Sequence, residues 1–134
     1  MEYITDITQT VINKIEVITG EKFSDSDLFL LEESIEKVRY YIKNKTNQSE
    51  VPKGLKYVFI DRVLGEYLTF KLKAGQLTDN SLNFSRIAKE ISEGDTKVAF
   101  DNTATTGDKF EVYLMSLITY GEDEIIRYRR LVWQ

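Results

Sequence analysis

The chain contains no cysteine and no histidine. Without cysteine there is no disulfide staple, no thiolate metal site and no thiol nucleophile. Without histidine the commonest metal ligand is missing, and so is the usual general base near neutral pH. An enzyme made from this sequence would have only carboxylates, lysine, tyrosine or serine to work with. Proline occurs once, at Pro52, which suits a helical protein. No run of 18 apolar residues exists, so no membrane span is expected. The opening MEYITDITQTV is acidic and polar where a secretory leader has a basic start and an apolar middle, so retention inside the producing cell is expected.

Basic charge is scarce in the first part of the chain. Residues 1–50 carry 6 basic and 10 acidic side chains, whereas residues 51–134 carry 12 of each. The net charge is −4. A free-standing DNA-binding domain usually shows a basic excess or stripe, and the acidic half should face away from any nucleic acid. What is present is a globular composition, 42% hydrophobic over 134 residues, enough for a single domain with a modest core.

The apolar spacing is helical over most of the length. Ile4, Ile7, Val11, Ile15 and Ile18 predict a first helix ending near Gly20. Leu28, Leu31, Ile35, Val38 and Ile42 predict a second over 25–43, with Ser24 or Asp25 as its cap and NKTNQSEVP as its break. A third helix over 53–74 carries Leu55, Val58, Phe59, Val63, Tyr67 and Phe70, with Ile60, Leu64, Leu68 and Leu72 widening the apolar arc. A helix apolar over so wide an arc is expected at the centre, touched by more than one neighbour. Gly65 inside it predicts close helix–helix approach. A last helix is expected from Asp108 or Lys109, with Phe110, Tyr113, Leu114, Leu117 and Ile118 on one face. It is interrupted at Gly121 and resumes through EDEIIRYRRLVW.

One stretch departs from this pattern. In SEGDTKVAF, residues 92–100, a charged turn leads into Val98 and Phe100, which alternate with polar or small neighbours at strand spacing. A lone strand cannot satisfy its own backbone, so Lys97, Val98 and Phe100 are candidate subunit-interface residues through strand addition. The polar loop 101–108 follows. The expected fold is therefore mainly α: one helical domain over 1–134, with a short β element or extended loop near 92–108.

Motifs for chemistry are weak. The carboxylates of Glu32-Glu33, SEGD and GEDE lack the spacing of a calcium loop, and solvated helix faces and turns explain them. No phosphate loop is present. A magnesium-dependent nuclease acting through Glu93, Asp95 and Asp123 is the weakest reading. No catalytic residue, metal or cofactor is therefore expected. The most unusual surface stretch is RYRRLVW, where Arg127, Arg129 and Arg130 interleave with Tyr128 and Trp133. Arginine forks suit carboxylates and phosphates, and arginine with aromatics is typical of protein interfaces. Three readings stand: a protein interface, internal packing of Trp133, or nucleic-acid contact, the last disfavoured by the acidic GEDE just before it.

In order and spacing, LLEESIEKVRYYIKNKTN (30–47), VPKGLKYVFIDRVLGEYLTFKLKAG (51–75), SEGDTKVAF (92–100) and IIRYRRLVW (125–133) resemble the small head–tail connector, or head-completion adaptor, proteins of tailed phages and prophages. Residues 1–20 match that family least. The resemblance implies a small helical bundle with a minor β element, and a non-enzymatic structural role. It implies a homo-oligomeric ring, commonly of twelve subunits, that extends the DNA channel beneath the portal protein and receives the next connector or tail-completion protein. DNA would pass through without sequence-specific binding, and no membrane would be involved. The expected location is the virion head–tail junction, with the host cytoplasm before assembly. The resemblance further implies a projecting loop or inter-subunit strand over 92–110 and a portal- or partner-contacting segment over 125–134. A small DNA-binding or DNA-packaging accessory protein is the alternative.

Overall fold

The computed structural model describes residues 2–77 and 106–131. The expected β element, with Lys97, Val98 and Phe100, lies outside these residues, as do the polar loop 101–108 for most of its length and Trp133. Among the described residues the protein is a helical bundle without strands. The helices are α1 (Glu2–Thr19), α2 (Leu28–Thr46), α3 (Lys56–Lys73), α4 (Thr106–Thr119) and the short α5 (Glu122–Arg127).

Each helix forms where the 3–4 spacing places apolar side chains on one side. Ile7, Val11, Ile15 and Ile18 of α1 are buried, as are Leu31, Ile35, Val38 and Ile42 of α2. α1 stops at Gly20, whose left-handed backbone lets its N–H reach the Glu16 carbonyl at 2.9 Å. Ser24 caps the turn entering α2, its Oγ accepting from the Ser26 N–H at 3.3 Å. α2 runs to Thr46, three residues past the expected break. The Thr46 hydroxyl donates back to the Ile42 carbonyl at 2.7 Å, and the helix ends only when Asn47 turns left-handed at φ 54°. Pro52 precedes a single tight turn, Lys53–Leu55, before α3. α4 begins at Thr106, slightly before the expected Asp108.

α3 is central, as its wide apolar arc predicts. Val58, Phe59, Ile60, Val63, Leu64, Tyr67 and Leu68 are all buried, and one core cluster joins the described helices. Phe70, at the end of the arc, is exposed instead. Ion pairs give the directions of the neighbours. Lys37–Glu66 at 2.9 Å and Lys71–Asp27 at 3.1 Å set α2 antiparallel to α3. Lys56–Asp6 at 2.9 Å and Lys14–Asp61 at 3.5 Å set α1 parallel to it. α4 returns antiparallel along α3 at Gly65, where an added Cβ would lie 2.9 Å from the Leu117 Cβ and 3.1 Å from the Ile118 backbone nitrogen. The close approach expected there is borne out. No described helix is long and apolar enough to cross a membrane.

Candidate functional site

The corner between α4 and α5 determines where the arginine-rich segment lies. Gly121 makes that corner with φ 74°, packed so closely on Val58 that a side chain would collide with it. Arg62 of α3 fixes the corner from below. Only 7% of its side chain is exposed. Its Nε donates to the Tyr120 carbonyl at 2.7 Å, and its Nη2 donates to the Thr119 carbonyl at 3.2 Å and to Glu122 Oε2 at 2.7 Å. The guanidinium thus serves as a C-cap for α4, taking up carbonyls that the helix end leaves unpaired.

Tyr41 of α2 closes the node. Its hydroxyl lies 2.8 Å from both Glu122 carboxylate oxygens, and the Arg62 guanidinium carbon sits 5.0 Å from its ring centroid. Burial raises the Tyr41 phenol above its ordinary value, and the Glu122 carboxylate adds to the shift. For Glu122, burial works against the charged form. The Tyr41 hydroxyl and the Arg62 guanidinium outweigh it and hold the carboxyl below its ordinary value. Above the node a groove of about 640 Å³ opens between α2 and α4, with Tyr40, Tyr41, Asn44 and Ile118 among its walls.

Beyond Arg127 the chain leaves the helix and lies along the C-terminal end of α2 as a strap. The Arg130 N–H donates to the Thr46 carbonyl at 2.8 Å. The Asn47 side chain donates to the Arg130 carbonyl at 2.8 Å, and the Gln48 side chain donates to the Tyr128 carbonyl at 2.6 Å. The Tyr128 ring lies over Gly54, and a side chain there would overlap its hydroxyl. Four independent contacts hold a segment without regular structure.

Of the residues expected to contact a partner, Tyr128, Arg129 and Arg130 lie on this exposed strap, with Arg127, also exposed, at the end of α5 just before it. The three arginines form no ion pair among the described residues. Lys43 and Lys45, in the last turn of α2, lie at the same end of the molecule. The carboxylates of GEDE separate: Glu122 turns in to the node, while Asp123 and Glu124 stay exposed. No group of acidic residues able to hold a metal ion occurs among the described residues. Arg62, Tyr41, Asn47 and Gln48 were not singled out by the sequence reading. Arg62 left one signal, a lone charge three and four residues after Phe59 and Val58 on the apolar side of α3.

A second polar cluster closes the opposite end. Lys71 bonds Asp27 and also Gln76 at 2.7 Å, which clasps the end of α3 onto the start of α2. Burial, with the Asp27 carboxylate nearby, pushes the Tyr67 phenol well above its ordinary value. Compared with protein-family models, with curated proteins and with solved structures, the chain matches none of them.

Proposed function

We propose that the protein is a non-enzymatic structural adaptor that joins the portal of a phage or prophage head to the tail-side connector, as a ring extending the DNA channel at the head–tail junction. The observation that carries this reading is the strap. Four contacts fix the backbone at Tyr128 and Arg130 and the Tyr128 ring, so Arg127, Arg129 and Arg130, exposed and without ion-pair partners among the described residues, are presented from a held backbone. Arginines presented from a held backbone beside an aromatic ring are the equipment of a docking surface. The ordered resemblance of residues 30–47, 51–75, 92–100 and 125–133 to head-completion adaptors supplies the setting: a ring with the portal on one side and a tail-completion protein on the other.

Mass photometry of the protein mixed with the portal encoded near it tests the reading. A portal-bound ring mass is expected, whether or not the free protein is monomeric. No binding across protein and salt concentrations would remove it. The double variant Val98→Asp/Phe100→Asp tests the expected inter-subunit strand. It should weaken ring formation while keeping the helical circular dichroism signal.

A DNA-binding or DNA-packaging accessory is the second reading. It is favoured by the gathering of Lys43, Lys45 and the three strap arginines at one end. The net charge of −4 and the neighbouring Asp123 and Glu124 weigh against it. Duplex retention that falls steeply with salt, in the absence of portal binding, would select it.

A further inference from the structure

Two exposed patches at opposite ends of α2 have matching shape in chemical terms. The first is the strap end, where Ile126 is 55% exposed and Leu131 54% exposed, with Arg127, Arg129 and Arg130 exposed around them and Asp123 and Glu124 exposed just before Ile126. The second is the first turns of α2. There Phe29 is 72% exposed, and Glu32 and Glu33, three and four residues on, share its side of the helix and are exposed. Each patch combines exposed apolar side chains with charge: three arginines against two carboxylates at the strap end, and the two carboxylates Glu32 and Glu33 beside Phe29. Among the described residues neither the arginines nor Glu32 and Glu33 have an ion-pair partner.

The two patches cannot meet within one molecule. The strap is bonded to Thr46 and Asn47, and Phe29 lies 17 residues earlier on the same straight element, roughly 25 Å away at the rise of an α-helix. The node under Arg62 and the bonds to α2 fix the strap, so it cannot swing to the other end without losing them. Complementary patches held apart on one rigid body are satisfied only between bodies.

We propose that the strap docks on the Phe29–Glu33 turn of a second copy of this chain, in a head-to-tail contact. The apolar side chains Ile126 and Leu131 meet Phe29, and the arginines pair with Glu32 and Glu33. The contact is heterologous, so repetition gives a closed ring or an open filament and leaves one patch of each kind free on any unclosed species. This rests on the reading of the strap as a docking surface within a ring, and gives that surface to the neighbouring subunit, leaving the portal and the tail-side protein to other faces of the ring. Lys43 and Lys45 in the last turn of α2 suit the helix dipole, but its first turn holds no acid, so the dipole accounts for neither Glu32 and Glu33 nor the exposed Phe29, Ile126 and Leu131.

The test is a charge exchange in the full chain. One variant carries Glu32→Arg and Glu33→Arg, the other Arg127→Glu and Arg129→Glu. Sedimentation velocity at low salt should show the wild type self-associating. Each variant alone should associate less by on the order of tenfold or more. An equimolar mixture should recover association, because the exchanged charges are complementary only between variants. The absence of native cysteine allows an independent reading: Phe29→Cys mixed with Leu131→Cys should give a bismaleimide-linked heterodimer in excess of either homodimer. A wild type that stays monomeric at millimolar concentration, variants that associate like wild type, or a mixture without recovery or without excess heterodimer would each overturn the contact. Self-association that follows these rules without portal binding would keep the contact and remove the adaptor reading. Portal binding by a chain that never self-associates would do the reverse.

Discussion

Arg62 stands where helix periodicity calls for an apolar side chain, and its surroundings explain how a charge is tolerated there. A buried guanidinium is costly unless its donors are taken up. Here two backbone carbonyls and a carboxylate take them up, while the Tyr41 ring covers its face. Replacing Arg62 with methionine would leave the α4 end and Glu122 without their donor, and is expected to lower stability by about 2–3 kcal/mol in urea unfolding. The node also sets a pH window. Glu122 has a lowered value in the folded state, so its contribution is complete above the ordinary 4.5 and is lost as pH falls through the lower folded value. Tyr41 is raised, so the contribution of its neutral phenol is complete below the ordinary 10.0 and is lost as pH rises through the higher folded value. Unfolding free energy of the wild type should therefore lose this node's contribution at both extremes. In Glu122→Gln the loss on the acid side should shrink, and an unchanged acid limb would show that other carboxylates govern it.

At the scale of the element, Gly65 sets how closely α4 approaches α3. In an exposed helix interior glycine to alanine is stabilising, by about 1 kcal/mol. Here the new methyl would meet the Leu117 Cβ and the α4 backbone at Ile118, neither of which can yield without shifting the helix. Gly65→Ala is therefore expected to destabilise, by about 1–3 kcal/mol, and a stabilised variant in chemical denaturation would contradict the packing. The strap depends in the same way on Asn47, which supplies both a left-handed backbone and a donor to Arg130. Asn47→Val should disfavour that backbone and remove the donor, so amide exchange at Arg130 should speed up while exchange in α3 stays slow. These two elements differ in how much of them could be read beforehand. The Gly65 contact was legible because a glycine in an apolar helix has few other uses. The strap was not, because its bonds join residues 80 or more positions apart and its backbone has no period. The end of α2 was misplaced by three residues for a local reason: Thr46 satisfies its hydroxyl on its own helix, which the polar composition of NKTNQSEVP conceals.

At the scale of the molecule, the described helices are organised around α3, and that bears on α1, where the resemblance is weakest. Ile7, Val11, Ile15 and Ile18 are buried in the same cluster as the α2 and α3 side chains rather than in a separate one. Lys56–Asp6 and Lys14–Asp61 tie α1 to α3 at two levels. α1 is therefore part of the core and not an appendage. Fully burying an isoleucine or valine contributes about 1.5–3 kcal/mol, so the four side chains together account for about 6–12 kcal/mol before the entropy of ordering the helix is set against them. A single domain is usually stable by only about 5–15 kcal/mol in total. A chain beginning at residue 21 would lose this apolar cover and expose the matching faces of α2 and α3. It is expected to lack a cooperative thermal transition and to bind a hydrophobic dye, while the full chain unfolds in one step with coincident far-UV and near-UV signals. A truncated chain that melts cooperatively near the full-length midpoint would mean that α2, α3 and α4 form a self-sufficient core. α1 would then be available to a partner rather than committed to the fold.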